Sequence, residues 1–227
     1  MNRSRNTCAA AVFVKTPGLS PIKTRLAASV GRELAEDWHR RAADCVANVV
    51  LAADLPCYWA VAEPDALDQA LWSGLPRLAQ GSGSLGQRMA RIHSALLQQH
   101  SAAVLLGADL PQLEARHLRA ATEWLNKPGP RAVLGPARDG GFWLFGANRP
   151  APEAHWTAVT YSRDDTARNF RAALGEEFVW SELEPLTDLD TADDLVPVHA
   201  ELDRIAEPLA CQIMIRDWLA SLAGIGQ

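Results

Sequence analysis

Lysine is almost missing from this chain. Of its 22 basic residues only Lys15, Lys23 and Lys127 are lysines, and the rest are arginine. An excess of positive charge is missing too. The 27 acidic residues leave a formal net charge of −5, which argues against a nucleic-acid binder, where a basic face or stripe is expected. The four cysteines, Cys8, Cys45, Cys57 and Cys211, form neither a C-x-x-C pair nor a zinc spacing, so free thiols in a reducing, cytoplasmic setting are expected. No long apolar run opens the chain: MNRSRNTCAAAVFV offers neither the h-region of a signal peptide nor the length of a membrane span. Residues 1–8 are expected to be a disordered lead-in. A Walker A pattern, a G-x-G-x-x-G after the first strand, H-E-x-x-H and H-x-x-x-H pairs and a G-x-S-x-G elbow are also lacking. P-loop, zinc-hydrolase and serine-hydrolase readings therefore lose their support.

What is there alternates strands with helices. CAAAVFV (8–14) is a continuous apolar run, the pattern of a strand buried on both faces. Leu34, Trp38, Ala42, Cys45 and Val49 recur at three- and four-residue spacing and predict a helix from Glu33 to about Leu51. CYWAVA (57–62) and AAVLLGADLP (102–111) read as strands, the second ending at Asp109 because Pro111 cannot continue a central ladder. RAVLGPA and GFWLFGA read as strands joined through an Asp-Gly-Gly turn, a local hairpin. SLGQRMARIHSALLQQH, EARHLRAATEWL, DTARNFRAAL, TADDLVPVHAEL and PLACQIMIRDWLASL read as helices. The class is α/β, with a mainly parallel sheet and helices on both faces. With no repeat and no long linker, 1–227 is expected to be one domain. Its closing helix (204–227) either covers the sheet or joins a second subunit as a homodimer.

Two of the three lysines fall in one loop, FVKTPGLSPIKTRL, directly after the first strand. A lysine is a compact point charge on a flexible stem, suited to phosphate, so Lys15, Lys23 and Arg25 mark an anion-binding loop. The bland alternative is a solvated rim, with Arg25 facing the C-terminal acids and Thr-Pro-Gly serving only as a turn. In open α/β sheets ligands sit outside the carboxyl ends of the strands, and acids fall at such ends. Asp109 closes one strand, Asp139 opens the Asp-Gly-Gly turn, and Asp188 and Asp190 stand two apart in LTDLDTADDL. In an extended segment that spacing puts both carboxylates on one face, where they repel unless a cation sits between them. Mg²⁺ takes such oxygen ligands together with substrate phosphates. Equally, Asp190 or Thr191 can cap the next helix with Asp193 or Asp194 complementing its dipole. A second flexible loop, QGSGSLGQRM, carries Gly81, Gly83 and Gly86, which allow close backbone approach to a ligand. There Ser84 and Gln87 form a capping box.

Five blocks in order, FVKTPGLSPIKTRL, GSLGQRM, LLGADLP, VLGPARDGGFWLFG and DLDTADDL, resemble the nucleotide-diphospho-sugar transferase superfamily with its GT-A fold, a single-domain Rossmann-like architecture. They are more closely similar to small bacterial glycosyltransferase-like proteins linked by name to arsenosugar biosynthesis. They are also similar to guanylyltransferases acting on phospholactate or phosphoenolpyruvate, and more distantly to molybdenum cofactor nucleotidyltransferases. The likeness runs from about residue 9 to residue 200. It implies that Lys15, Lys23 and Arg25 contact nucleotide phosphates and that Asp109, Asp188 and Asp190 hold a divalent metal. It further implies that Asp139, Gly140 and Gly141 line the acceptor side, and Gly83, Gly86 and Asp109 are expected to meet the nucleotide. Ser20, Phe142-Trp143 and TYSRDDT (160–166) depart from that family's usual residues.

The expected activity is nucleotidyl transfer with Mg²⁺ or Mn²⁺ as cofactor: a small phosphorylated acceptor joins an NTP and pyrophosphate leaves. Such a displacement asks mainly for positioning and charge neutralisation. A glycosyltransferase using a nucleotide-diphospho-sugar is the alternative, with Asp139 the only candidate base. A nucleotide-binding module without turnover is a third reading. The expected partners are thus a nucleotide and a small-molecule acceptor, with neither nucleic acid nor membrane.

Overall fold

The computed structural model describes residues 7–223. Its centre is a seven-stranded sheet in the order β3-β2-β1-β4-β6-β5-β7. The strands are β1 (Cys8–Val14), β2 (Cys57–Val61), β3 (Arg77–Ala79), β4 (Ala102–Gly107), β5 (Arg131–Pro136), β6 (Phe142–Ala147) and β7 (Val179–Glu182). β6 alone runs antiparallel to its neighbours, pairing with β4 and, through the Asp-Gly-Gly turn, with β5. All other pairs are parallel. The single-domain, mainly parallel α/β architecture is thus present, with the hairpin where the sequence placed it. Cys8, assigned to the lead-in, is the first residue of β1 and is buried; residues 1–6 lie outside the described part. β4 stops at Gly107, so Asp109 stands two residues past the strand on the outgoing loop.

The helices are α1 (Thr24–Val30), α2 (Arg32–Ala52), α3 (Leu85–Leu97), α4 (Ala115–Leu125), α5 (Glu153–Thr157), α6 (Thr166–Leu174), α7 (Leu195–Asp203) and α8 (Ala210–Ala223). Period-two alternation in β1 divides the core. Ala10, Val12 and Val14 pack with Val46, Val50 and Leu118 on one face, while Ala9 and Ala11 join Ile92, Leu96 and Phe145 on the other. A third cluster lies off the sheet. Leu26, Trp38, Leu189, Val198, Ile215 and Leu219 bind α1, α2, α7 and α8 together. The closing helix therefore packs on other helices rather than on a sheet face, and it starts at Ala210 rather than at 204. Among the described residues no helix is long and apolar enough to cross a membrane.

Candidate active site

The loop after β1 is pinned from three sides. The Thr16 amide donates to Glu63 Oε2 at 2.9 Å, Trp72 Nε1 donates to Thr16 Oγ1 at 3.0 Å, and His39 Nε2 donates to the Lys15 carbonyl at 3.1 Å. The loop ends in a short helix, α1, that no apolar period in the sequence announces. Lys23 is the residue before α1 and takes a left-handed conformation, φ 44°. A non-glycine residue there costs about 1 kcal/mol or more. Its ammonium supplies the compensation by entering a nest of carboxylates.

Lys23 Nζ lies 3.0 Å from Asp109 Oδ2 and 2.6 Å from Asp190 Oδ1, with its side chain only 9% exposed. Arg25 pairs with the second oxygen of Asp190, so it does face the C-terminal acids, as the bland reading of the loop allowed. Burial pulls the Lys23 pKa down, but Asp109, Asp190 and Asp188 outweigh it and hold the ammonium above the ordinary lysine value. Burial likewise opposes ionisation of Asp109, yet Lys23 and His39 Nδ1, 3.2 Å away, keep that carboxyl well below the usual range. Asp188 is the exception in the nest. Its Oδ1 is buried with no hydrogen-bond partner, and burial, with Asp109, Asp139 and Asp190 adding to the effect, pushes its pKa up to about 7 against the pull of Lys23.

Two anchors bring these acids together. Glu201 on α7 accepts from the Thr187 amide and hydroxyl at 3.1 and 2.8 Å and from Gln112 Nε2 at 3.0 Å. Gln112 also donates to the Thr187 carbonyl at 2.7 Å. The loop after Asp109 and the segment carrying Asp188 are therefore clamped to each other. The helix-cap reading of LTDLDTADDL holds at the same time, for Asp194 Oδ2 accepts from the Asp190 and Thr191 amides at 3.0 and 2.7 Å. Because Thr191 and Asp194 make the cap, Asp188 and Asp190 are left to the nest.

Two cavities meet at this nest and share Lys23, Arg25, Asp109 and Asp190 in their walls. The smaller, about 410 Å³, extends toward Lys15, Thr24 and His39. The larger, about 540 Å³, runs past Asp139 and Asp188 to Leu85, Met89, Tyr161 and Arg163. Asp139 Oδ1 accepts from the Gly141 amide at 2.8 Å, closing the turn. Gly140, at φ 88°, lies against the Asp164 backbone where a side chain would collide, and its carbonyl accepts from Ala167 at 2.9 Å. The divergent 160–166 segment is thus a wall of the larger cavity, seated on the Asp-Gly-Gly turn.

Most of the residues singled out in the sequence gather here, and the glycines of the second loop do not. Gly83 and Gly86 line neither cavity: the Gln87 side chain packs over Gly83, and Gly86 faces the Trp156 carbonyl. The capping box of Ser84 and Gln87 forms as expected, and their neighbours Leu85 and Met89 reach the cleft instead. Gly81, Gly83 and Gly86 spell G-x-G-x-x-G from the loop after β3 into the first turn of α3, a pattern that was missed. His39 and Glu201 were also missed.

Asp109, Asp188 and Asp190 do not close to the mutual spacing of three ligands on one ion, since Lys23 stands among them. One such group occurs among the described residues, Glu114, His117 and Glu184. It lies outside both cavities, and Arg116 Nη2 already bridges its carboxylates at 2.7 and 2.6 Å.

Known structures share the fold. A provisionally named nucleotide-diphospho-sugar transferase from Desulfovibrio desulfuricans G20 aligns over 96% of this chain and 98% of its own, with a TM-score of 0.80 at 21% identity. A 4-diphosphocytidyl-2C-methyl-D-erythritol synthase from Anaerococcus prevotii aligns over 88% of this chain and 99% of its own, with a TM-score of 0.54 at 13% identity. CMP:2-keto-3-deoxy-manno-octonic acid synthetase, solved with CTP, aligns over 96% and 100%, with a TM-score of 0.53 at 11% identity. The architecture is that of nucleotidyltransferases and of their sugar-transferase counterpart. No curated protein matches the sequence. A family profile covers residues 39–163, and the chain belongs to that family, described as uncharacterized protein conserved in bacteria (DUF2064).

Proposed function

We propose that this protein is a divalent-metal-dependent nucleotidyltransferase that joins an NTP to a small phosphorylated acceptor and releases pyrophosphate. One observation carries the reading: a cationic cavity and a mixed apolar and acidic cavity meet at a single nest of carboxylates. The smaller cavity, with Lys15, Lys23 and Arg25, suits the β- and γ-phosphates. In the larger one, Leu85 and Met89 offer an apolar wall to a base, while Asp139, Gly141 and Arg163 border the acceptor. In-line displacement at the α-phosphate asks the protein for alignment and charge compensation, and the junction of the cavities is the place for that phosphate.

The orphaned, buried Asp188 Oδ1 tests whether a metal fits, and hard oxygen donors are what Mg²⁺ or Mn²⁺ takes. Asp188 would hold it, with Asp109 and Asp190 joining once Lys23 leaves them. When bound, it supplies positive charge to the phosphoryl oxygens. Lys23 would then exchange carboxylate partners for phosphate, and Arg25 would keep Asp190 oriented. The CTP held by the ketodeoxyoctonate-activating relative supports a nucleotide in this fold.

A specific observation favours one second reading. Asp139 spends one oxygen on its own turn and borders the larger cavity, which suits a base for sugar transfer. Pyrophosphate release measured with each of four NTPs, with and without Mg²⁺ and a phosphorylated hydroxy acid, separates the cases. Release with one NTP that needs both metal and acceptor supports nucleotidyl transfer. Nucleoside diphosphate release from UDP-glucose or GDP-mannose would replace it with the sugar transferase. Tight nucleotide binding without turnover would leave only a binding module.

A further inference from the structure

Cys45 and Cys211 are 166 positions apart in sequence, yet their sulfurs lie 2.8 Å from each other. Cys45 sits in the middle of α2, fully buried, and Cys211 is the second residue of α8, partly open to solvent. A disulfide bond is about 2.05 Å long, so little movement separates this contact from a covalent one. We propose that Cys45 and Cys211 form a reversible thiol–disulfide pair that cross-links α2 to α8 when the protein meets a low-molecular-weight disulfide.

The two thiols divide the work. Cys211 accepts the S–H of Cys45, and the backbone amides at the start of α8 face its sulfur. These contacts outweigh partial burial and hold its pKa below the ordinary thiol value, although nearby Asp44 opposes them. Cys45 goes the other way, raised by its bond to Cys211 and by burial. Cys8 and Cys57 have no such partner, and burial pushes each up to about 12. An accessible thiolate beside a buried resolving thiol is the arrangement that thiol–disulfide exchange requires.

The Cys211 thiolate attacks one sulfur of the small disulfide, whose S–S bond breaks and releases one thiolate. Cys45 then attacks Sγ of Cys211, expels the second thiolate and passes it a proton. Two protein thiols lose two electrons, and the small disulfide becomes two thiols. The bond would lie behind the loop that carries Asp109. Gln212 Nε2 donates to the carbonyls of Pro111 and Leu113 at 2.8 Å each, and Cys45 Sγ faces the Pro111 carbonyl. Oxidation would thus fix α8, now held by packing such as the Trp38–Trp218 stack, to the back of the candidate site. The inference does not depend on which reaction the cleft performs.

The test treats the whole protein with oxidised glutathione, alkylates the remaining thiols, and maps linked peptides by mass spectrometry alongside thermal melts. The expected result is a loss of two thiols, a Cys45–Cys211 linked peptide, and a melting temperature raised by roughly 5–15 °C that dithiothreitol reverses. In Cys45→Ala the glutathione adduct on Cys211 should persist instead. A stable adduct on Cys211 in the unaltered protein would overturn the proposal, as would four unreacted thiols or a link to Cys8 or Cys57.

Discussion

His39 grips Asp109 through Nδ1 at 3.2 Å while its Nε2 donates to the backbone carbonyl of Lys15 at 3.1 Å. One ring from α2 therefore ties the loop after β1 to the loop after β4, the two strand ends that face the cleft. The ring takes Asp109 Oδ1 and leaves Oδ2 for Lys23, which fixes the orientation of the carboxylate.

If Asp109 holds a metal as proposed, a residue that orients its carboxylate is worth roughly 10–100-fold in metal affinity. His39→Phe should weaken Mn²⁺ binding by that order, read by electron paramagnetic resonance titration, with the far-ultraviolet circular dichroism spectrum unchanged. Metal affinity equal to that of the unaltered protein would remove His39 from the site.

Lys23→Met tests the centre of the nest. It leaves Asp109 and Asp190 facing each other without their shared cation, and removing one partner of a buried pair costs about 3–5 kcal/mol; the quarter to a third of each carboxylate that remains exposed favours the low end. The loss should appear in urea unfolding without metal and shrink when millimolar Mg²⁺ is added, because the ion then supplies the missing charge. Nucleotide affinity should stay low in both conditions. A loss of stability indifferent to Mg²⁺ would argue that no ion enters among these carboxylates.

The sheet was legible because its central strands carry their own signals. CAAAVFV and AAVLLG are apolar on both faces, and the Asp-Gly-Gly turn announces the hairpin. The edge strands β3 and β7, of three and four residues, carry no such period, and α1 lacks a side-chain cap, so local pattern passed over them. Of the acids of the nest, Asp109 could be picked out by its place near a strand end and Asp188 and Asp190 by their spacing of two. Burial of Lys23 could not, because its partner Asp190 is 167 positions away. His39 was hidden differently: it occupies the buried stripe of α2 between Ala35 and Ala42, where a histidine reads as core.

A second buried histidine should add acid sensitivity, against Asp188, whose raised pKa lets the fold take a proton before the unfolded chain does. His93 lies between Phe145 and Trp156, with ring centroids 5.5 and 5.6 Å away, and its nitrogens face the backbone of Ala103 and Ala147 without making hydrogen bonds. Burial lowers its pKa to about 4. Above about pH 6.5 the ring is neutral in both folded and unfolded chains and has no linkage effect. As pH falls from there to about 4, the unfolded chain takes a proton that the fold refuses, and stability drops by about 3 kcal/mol. His93→Leu should remove this contribution, so that its urea midpoint at pH 4, relative to that at pH 6.5, lies higher than in the unaltered protein. An unchanged difference would place the acid sensitivity elsewhere.

Gly140→Ala probes the seam between the Asp-Gly-Gly turn and the wall of the larger cavity. Two penalties act at that position: φ is 88°, a region that L side chains rarely adopt, and an added Cβ would meet the Asp164 backbone. Gly129 separates them, for its φ is 87° and nothing stands near its missing Cβ. Gly129→Ala should cost about 1 kcal/mol from backbone strain alone and leave catalysis unchanged. Gly140→Ala adds the collision, which is relieved most readily by pushing the 160–166 segment outward and widening the cleft around Asp139 and Arg163. Under the proposed reaction the acceptor KM should rise by more than the KM for NTP, because the segment brings Tyr161, Arg163 and Asp164 to the larger cavity and only Ser162 to the smaller one. Equal rises in both constants would mean that the damage spreads through the whole fold, and the Asp139 side of the cleft would lose its claim on the acceptor.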